Sequence, residues 1–229
     1  MKVKALSSLY RNCLPLSWQQ KIDVIRGESQ VFRPCFESTK SIFIHVPKAA
    51  GTSIARAIYG MNVGHRKAID YYDVSNKKFD AHFSFAFVRN PWDRAVSAYN
   101  FVKQNGTGYV QPLPNSIYQS ELFDSFERFV LQWLVNADLS KVDVVFEPQY
   151  KYICDRNNNI IVDHIGKVEN MKSSILFLQK KLNVEIKIAN LNQSTRKKDF
   201  RSYYNEETKK VIAELYKKDI TLFNYSFNG

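Results

Sequence analysis

The chain holds only three cysteines in 229 residues, Cys13, Cys35 and Cys154, and they are too widely spaced to form a CxxC pair. That scarcity excludes a disulfide scaffold. It also excludes a cysteine-rich zinc site, which needs four ligands at close spacing, and the four histidines do not cluster with the cysteines. Free thiols in a reducing cytosol are the expectation. Long apolar runs are missing too, since no stretch nears the roughly 18 residues of a membrane-crossing helix. Met1 to Gln20 carries basic residues, but Arg11, Pro15 and Gln19 interrupt any apolar core, so neither a secretory signal nor an anchor is expected. Repeats and low-complexity tracts are absent. Sequons at Asn105, Asn192 and Asn224 matter only in a secretory compartment, which nothing else supports. The last shortage is acidic charge: 22 Asp and Glu face 33 Lys and Arg, a formal net charge of +11. This favours an anionic partner, whether nucleotide, polysaccharide, nucleic acid or membrane surface, without choosing among them.

The hydrophobic content of 45% is that of an ordinary globular protein, and 229 residues suffice for one large domain. Residues 1–40 read as an N-terminal extension with one short helix at Ser17 to Arg26, and 41–229 as a single domain. Ser41 to Val46 (SIFIHV) is a β-branched and aromatic run stopped by Pro47, which predicts a buried strand. A small-residue turn and a helix through Tyr59 follow. Phe83 to Val88 (FSFAFV) predicts a second strand; Asn90 then suits an N-cap, Pro91 the first helical position, and Asp93 the positive helix end. Gly106 to Ser120 is a long loop. Phe123, Phe126, Val130, Trp133 and Leu134 recur at helical spacing, and Asp155 to Asn159 marks a hairpin turn. Two amphipathic helices are expected later, one carrying Val168, Met171, Ile175, Leu178 and Leu182, the other starting at Asn205. Strands alternating with helices predict an α/β fold with a mostly parallel central sheet covered by helices.

Two segments carry chemistry. In strand–PKAAGTS–helix, the turn leaves backbone N–H groups at the positive end of a helix, a ready anion site. Lys48 adds a charge, and Thr52 and Ser53 add hydroxyls. The nucleotide-kinase order GxxxxGK[ST] puts its lysine after the glycines, whereas here the lysine precedes Gly51. The second segment places Arg89 at a strand end and Ser97 nearly two turns into the next helix, a bidentate grip with a hydroxyl beside it. Together they describe a ligand with two anionic ends.

IHVPKAAGTS resembles the 5′-phosphosulfate loop of sulfotransferases that use 3′-phosphoadenosine 5′-phosphosulfate (PAPS). FAFVRNPWDRAVSAY resembles their 3′-phosphate segment. The likeness is to the carbohydrate sulfotransferase branch of the chondroitin and heparan-sulfate 2-O enzymes and their bacterial relatives. PQYKYICD, VDHIGKVEN and LNQS with Tyr203-Tyr204 continue it in order, so it spans about Ile42 to Phe227. The resemblance implies a P-loop-like three-layer fold. It implies in-line transfer of a sulfuryl group from PAPS to a carbohydrate hydroxyl, without a metal. Lys48, Ala49, Ala50, Gly51, Thr52 and Ser53 would hold the 5′-phosphosulfate, and Arg89 and Ser97 the 3′-phosphate. Lys48 would also act catalytically, on the bridging oxygen. Lys167 stands where an arginine is commoner, and its role is open. The missing anchor of Golgi members implies a soluble, cytoplasmic, bacterial-type enzyme.

The acceptor hydroxyl needs a base, and histidine suits neutral pH. His45, in the first strand, and His164, in a short apolar run, read as packed side chains. His65, opening HRKAIDYYD after the first helix, resembles the family's base and is preferred to His82, just before the second strand. An already acidic glycan fits the charge, and Arg196-Lys197-Lys198 would help shape its site, but no sugar can be read. Nor can the oligomeric state. The rival readings are a polyanion-binding protein for heparin-like chains or nucleic acid, weakened by the lack of a nucleic-acid motif, and an unusual P-loop kinase.

Overall fold

The structure is a computed structural model that describes residues 31–106, 111–112, 114–188 and 199–229. The expected helix at Ser17 to Arg26, the LNQS run and Arg196 to Lys198 lie outside them, as does Cys13. The fold is α/β. Strands β1 (Ser41–Ile44), β2 (Phe83–Val88) and β3 (His164–Lys167) form a parallel sheet in that order, with Ser41 opposite Phe83 and Val88 opposite Lys167. Ile42, Phe43 and Ile44 are as buried as Phe85, Ala86 and Phe87, as expected of strands covered on both faces.

Helix α1 (Pro34–Thr39) precedes β1 and buries Phe36 in the core around the sheet. Between β1 and β2 run α2 (Gly51–Tyr59), α3 (Ala68–Val74) and α4 (Asn76–Asp80). After β2 comes α5 (Pro91–Lys103), capped as its sequence predicts: Asn90 Oδ1 accepts from Trp92 N at 3.1 Å, with Pro91 following. One face of α5 meets a second, aromatic core in which Tyr99, Phe126 and Phe129 interlock at centroid distances of 5.2–5.7 Å.

Some elements depart from expectation. β1 stops two residues early because Val46 N turns back to donate to Ile44 O, so His45 lies just beyond the strand. The run from Phe123 is no single regular helix: α6 (Phe126–Arg128) widens into a π turn at Phe129–Trp133 and then tightens to 3-10. The expected hairpin is one antiparallel bridge, Cys154 to Ile160, around a turn knit by Asp155. Farther on come α7 (Tyr150–Ile153), α8 (Met171–Leu182), α9 (Glu206–Leu215) and α10 (Lys217–Leu222). α9 starts from the Asn205 cap, whose Oδ1 accepts from Thr208 N at 2.8 Å. Among the described residues no helix is long and apolar enough to cross a membrane.

Candidate active site

The carboxyl ends of β1, β2 and β3 lead into the PKAAG turn, Arg89 and the Val168–Asn170 turn, the edge where open α/β sheets bind ligands. The turn after β1 is bent against its own preferences. Lys48 has φ of 64° and Ala50 of 60°, left-handed values that cost a non-glycine residue about 1–2 kcal/mol each, and Ala49 between them does not share the sign. Alternation of this kind folds successive N–H groups into a concave anion nest. Ala50, the N-cap of α2, offers no side-chain acceptor, so it does not cap the first turn that begins at Gly51. Thr52 and Ser53, both half-buried, stand in that turn.

Lys48 rests on the Phe101 ring, its Nζ 4.2 Å from the centroid. Burial, with Arg89 and Arg94 nearby, pulls its ammonium down to about 8, against the opposing pull of Asp143. Arg89 is held on every side. Its N–H donates to Gln149 Oε1 at 2.9 Å, and its carbonyl accepts from Gln149 Nε2 at 2.8 Å. Its Nε donates to Asp93 Oδ2 at 2.7 Å, which leaves NH1 and NH2; NH1 makes a long contact, 3.5 Å, to Lys48 O. The turn after β1 and the end of β2 therefore adjoin. Ser97 is half-buried on α5.

Several supporting residues carried no role in the sequence reading. Arg94, 2% exposed, donates to Pro47 O at 3.0 Å and to Glu147 O at 2.7 Å, tying the turn to the chain before α7. Gln149 is fixed in turn by buried Asp219, which accepts from Gln149 N and Tyr150 N at 2.8 Å each. Glu169 accepts from Asn90 N at 2.6 Å and from the Tyr225 hydroxyl at 2.9 Å. Lys167 lies over the Tyr225 ring at 4.3 Å and donates to Asn224 O. Arg94, Gln149 and Glu169 stand inside the runs that resemble the family, which was the available signal. Asp143 and Asp219 had none.

His65 lies in the extended chain between α2 and α3. Its Nδ1 is 3.0 Å from His45 O. A carbonyl only accepts, so Nδ1 carries the proton and Nε2 the lone pair. Desolvation lowers the imidazole pKa, opposed by the bond to His45 and by Asp143, and the solvent access of His65 limits the effect. Nearby, Lys67 pairs with Glu147, which is 8% exposed. His82 is packed elsewhere: its Nδ1 binds Lys78 O at 2.8 Å and its ring faces Phe32 and Glu37 of the α1 region. His164 stacks on Phe177 at 4.1 Å. Among the described residues no group of three His, Cys, Asp or Glu side chains is arranged to hold a metal ion.

Residues 36–226 match the model of a family described as the sulfotransferase family. An uncharacterised protein of Archaeoglobus fulgidus is 31% identical over 112 residues, 48% of this chain and 76% of that relative. Carbohydrate sulfotransferase 11 of Rattus norvegicus and that of Mus musculus are each 25% identical over 232 residues, 83% of this chain. The match spans 66% of the length of either rodent enzyme. No solved structure matches significantly.

Proposed function

Since the chain belongs to the sulfotransferase family, we propose that it transfers a sulfuryl group in line from PAPS to a hydroxyl of a carbohydrate acceptor. The observation that carries this is the junction of the two anion sites: a left-handed turn bearing Lys48, with Arg89 reaching its carbonyl. Such a site suits a ligand with two anionic ends. The uncapped amides of α2 and the bare Gly51 fit a phosphosulfate, and the NH1/NH2 edge of Arg89 with Ser97 fits the 3′-phosphate. When bound, PAPS supplies the sulfuryl group and leaves as adenosine 3′,5′-bisphosphate. Lys48 and the turn amides stabilise charge on the departing bridging oxygen. His65 Nε2 takes the proton of the acceptor hydroxyl as its oxygen bonds to sulfur and the bridging bond breaks. The carbohydrate acceptor is suggested by the rodent relatives' names.

Adenosine 3′,5′-bisphosphate is expected to raise the melting temperature far more than AMP, because a ligand of the native state stabilises it by mass action. Arg89→Ala should weaken that nucleotide by about 2–5 kcal/mol, as loss of a buried charge partner does. Equal shifts for the two nucleotides would remove Arg89 and Ser97 from the 3′-phosphate. With labelled PAPS and a panel of sugars, His65→Ala is expected to lose about a hundredfold or more in turnover with nucleotide binding intact, the scale of general-base catalysis. His82→Ala should keep its turnover or lose it only with stability. A folded but inactive His82→Ala, or an active His65→Ala, ends the assignment of His65.

A further inference from the structure

His45 is a buried titratable group to which the reaction above gives no part. It sits between β1 and Pro47, 3% exposed, with an Nδ1 that has no hydrogen-bond partner among the described residues. Asn62 offers its side chain to the ring, and three further neighbours bear on the site. The ring stacks on Phe43 at 5.7 Å and 12°, and lies against the His65 ring with centroids 4.1 Å apart. On the third side it covers the bare Cα of Gly51, where an added Cβ would fall 1.9 Å from Cδ2 and 2.3 Å from Nε2. The backbone of Gly51 is not left-handed, so its conformation would admit alanine. The imidazole is what excludes a side chain there. Burial above all, then His65, holds the His45 pKa down to about 3, so the ring is neutral. One residue thus touches the first helical residue of the anion-binding turn with its ring and fixes His65 Nδ1 with its carbonyl.

We propose that His45 is a positioning residue for sulfuryl transfer, its ring a spacer that sets His65 at a fixed distance from the phosphosulfate turn. This rests on His65 being the base. The contact is with Gly51 on one side and His65 on the other, so losing the ring lets the two halves of the site drift while every phosphate ligand stays in place. A misplacement of about 1 Å is enough to lower turnover about a hundredfold.

Two variants and a compensating pair test it. His45→Leu keeps most of the buried volume without the flat ring; His45→Ala removes it. Both should lower kcat by roughly 10–100-fold, with the KM for PAPS unchanged and the melting curve still cooperative. Gly51→Ala should lose affinity for adenosine 3′,5′-bisphosphate, measured by calorimetry, because its methyl meets the ring. Gly51→Ala/His45→Ala should regain most of that affinity, since the space has been opened. Full turnover in both folded His45 variants overturns the proposal. So does a Gly51→Ala defect of equal size in the two backgrounds. Failure of the base reading has a different signature: His65→Ala stays active and kcat ceases to depend on His45, while the compensation at Gly51, which needs no turnover, persists.

Discussion

Lys48 combines a left-handed backbone with burial beside two guanidinium groups, both of which raise the free energy of the unliganded site, and only the face of Phe101 offsets them. Residues kept in such a state suit a function better than a fold, because packing alone would favour a relaxed turn with a solvated ammonium. The consequence is measurable as a proton. Lys48 titrates at about 8 in the folded chain, below the ordinary 10.5 that an unfolded chain restores. Between those values the unfolded state binds more protons, so this group's contribution to stability rises with pH across the window. A phosphate dianion of the bound nucleotide favours the ammonium and pushes the pKa back up. Binding of adenosine 3′,5′-bisphosphate at a pH near the Lys48 midpoint should therefore take up a fraction of a proton. Calorimetry in two buffers of different ionisation heat reads that uptake. It should vanish in Lys48→Met, and its persistence there would assign the proton to another group.

Each strand–turn–helix unit is anchored by a polar side chain from elsewhere in the chain, and α5 supplies the clearest case in Arg94. Its two bonds to carbonyls, Pro47 O and Glu147 O, join the β1 turn to the segment before α7. Bonds of this charged kind contribute roughly 1.5–3 kcal/mol each, and deletion leaves buried carbonyls unpaired. Arg94→Met should therefore cost about 2–4 kcal/mol in urea unfolding, together with a loss of nucleotide affinity as the turn loosens. A stable variant with weakened binding would make Arg94 a ligand rather than a tie. Such ties also explain what the sequence could and could not convey. β2 and the start of α5 were legible because their signals are local: an unbroken apolar run, an Asn cap, a proline at the first turn. β1 came out shorter because a hydrogen bond from Val46 to Ile44 O, invisible in composition, ends it. Apolar spacing gave the buried face of the chain from Phe123 but not its pitch, since α, π and 3-10 turns can all bury the same aromatics. Lys48 and Arg89 stood out in their motifs, and the structure brings them next to one another. The bonds from Gln149 to Arg89 and from Asp219 to Gln149 link residues 60 or 70 apart and exist only after folding.

At the scale of the molecule the net charge of +11 and the proposed donor site must be separated, because either would attract anions. Some surface cations are already paired, as Lys40 is with Glu37, Lys141 with Asp138 and Arg156 with Asp73. Exposed charges act over a screening length of about 8 Å at physiological salt, so their pull on a polyanion fades as salt rises. Arg89 differs: its side chain is 16% exposed and sits in a fixed bonded frame, where screening is weaker. If the acceptor is an acidic glycan steered by the surface, its KM should climb steeply with salt, while the affinity for adenosine 3′,5′-bisphosphate falls much less. Parallel assays with a sulfated or uronic-acid oligosaccharide and a neutral one of equal length decide the point. Equal turnover and equal salt dependence for the two would refute an acidic acceptor and leave the donor site untouched. Salt-sensitive capture of the acidic chain, with no thermal shift from the nucleotide at any salt, would instead make the protein a polyanion binder without transfer.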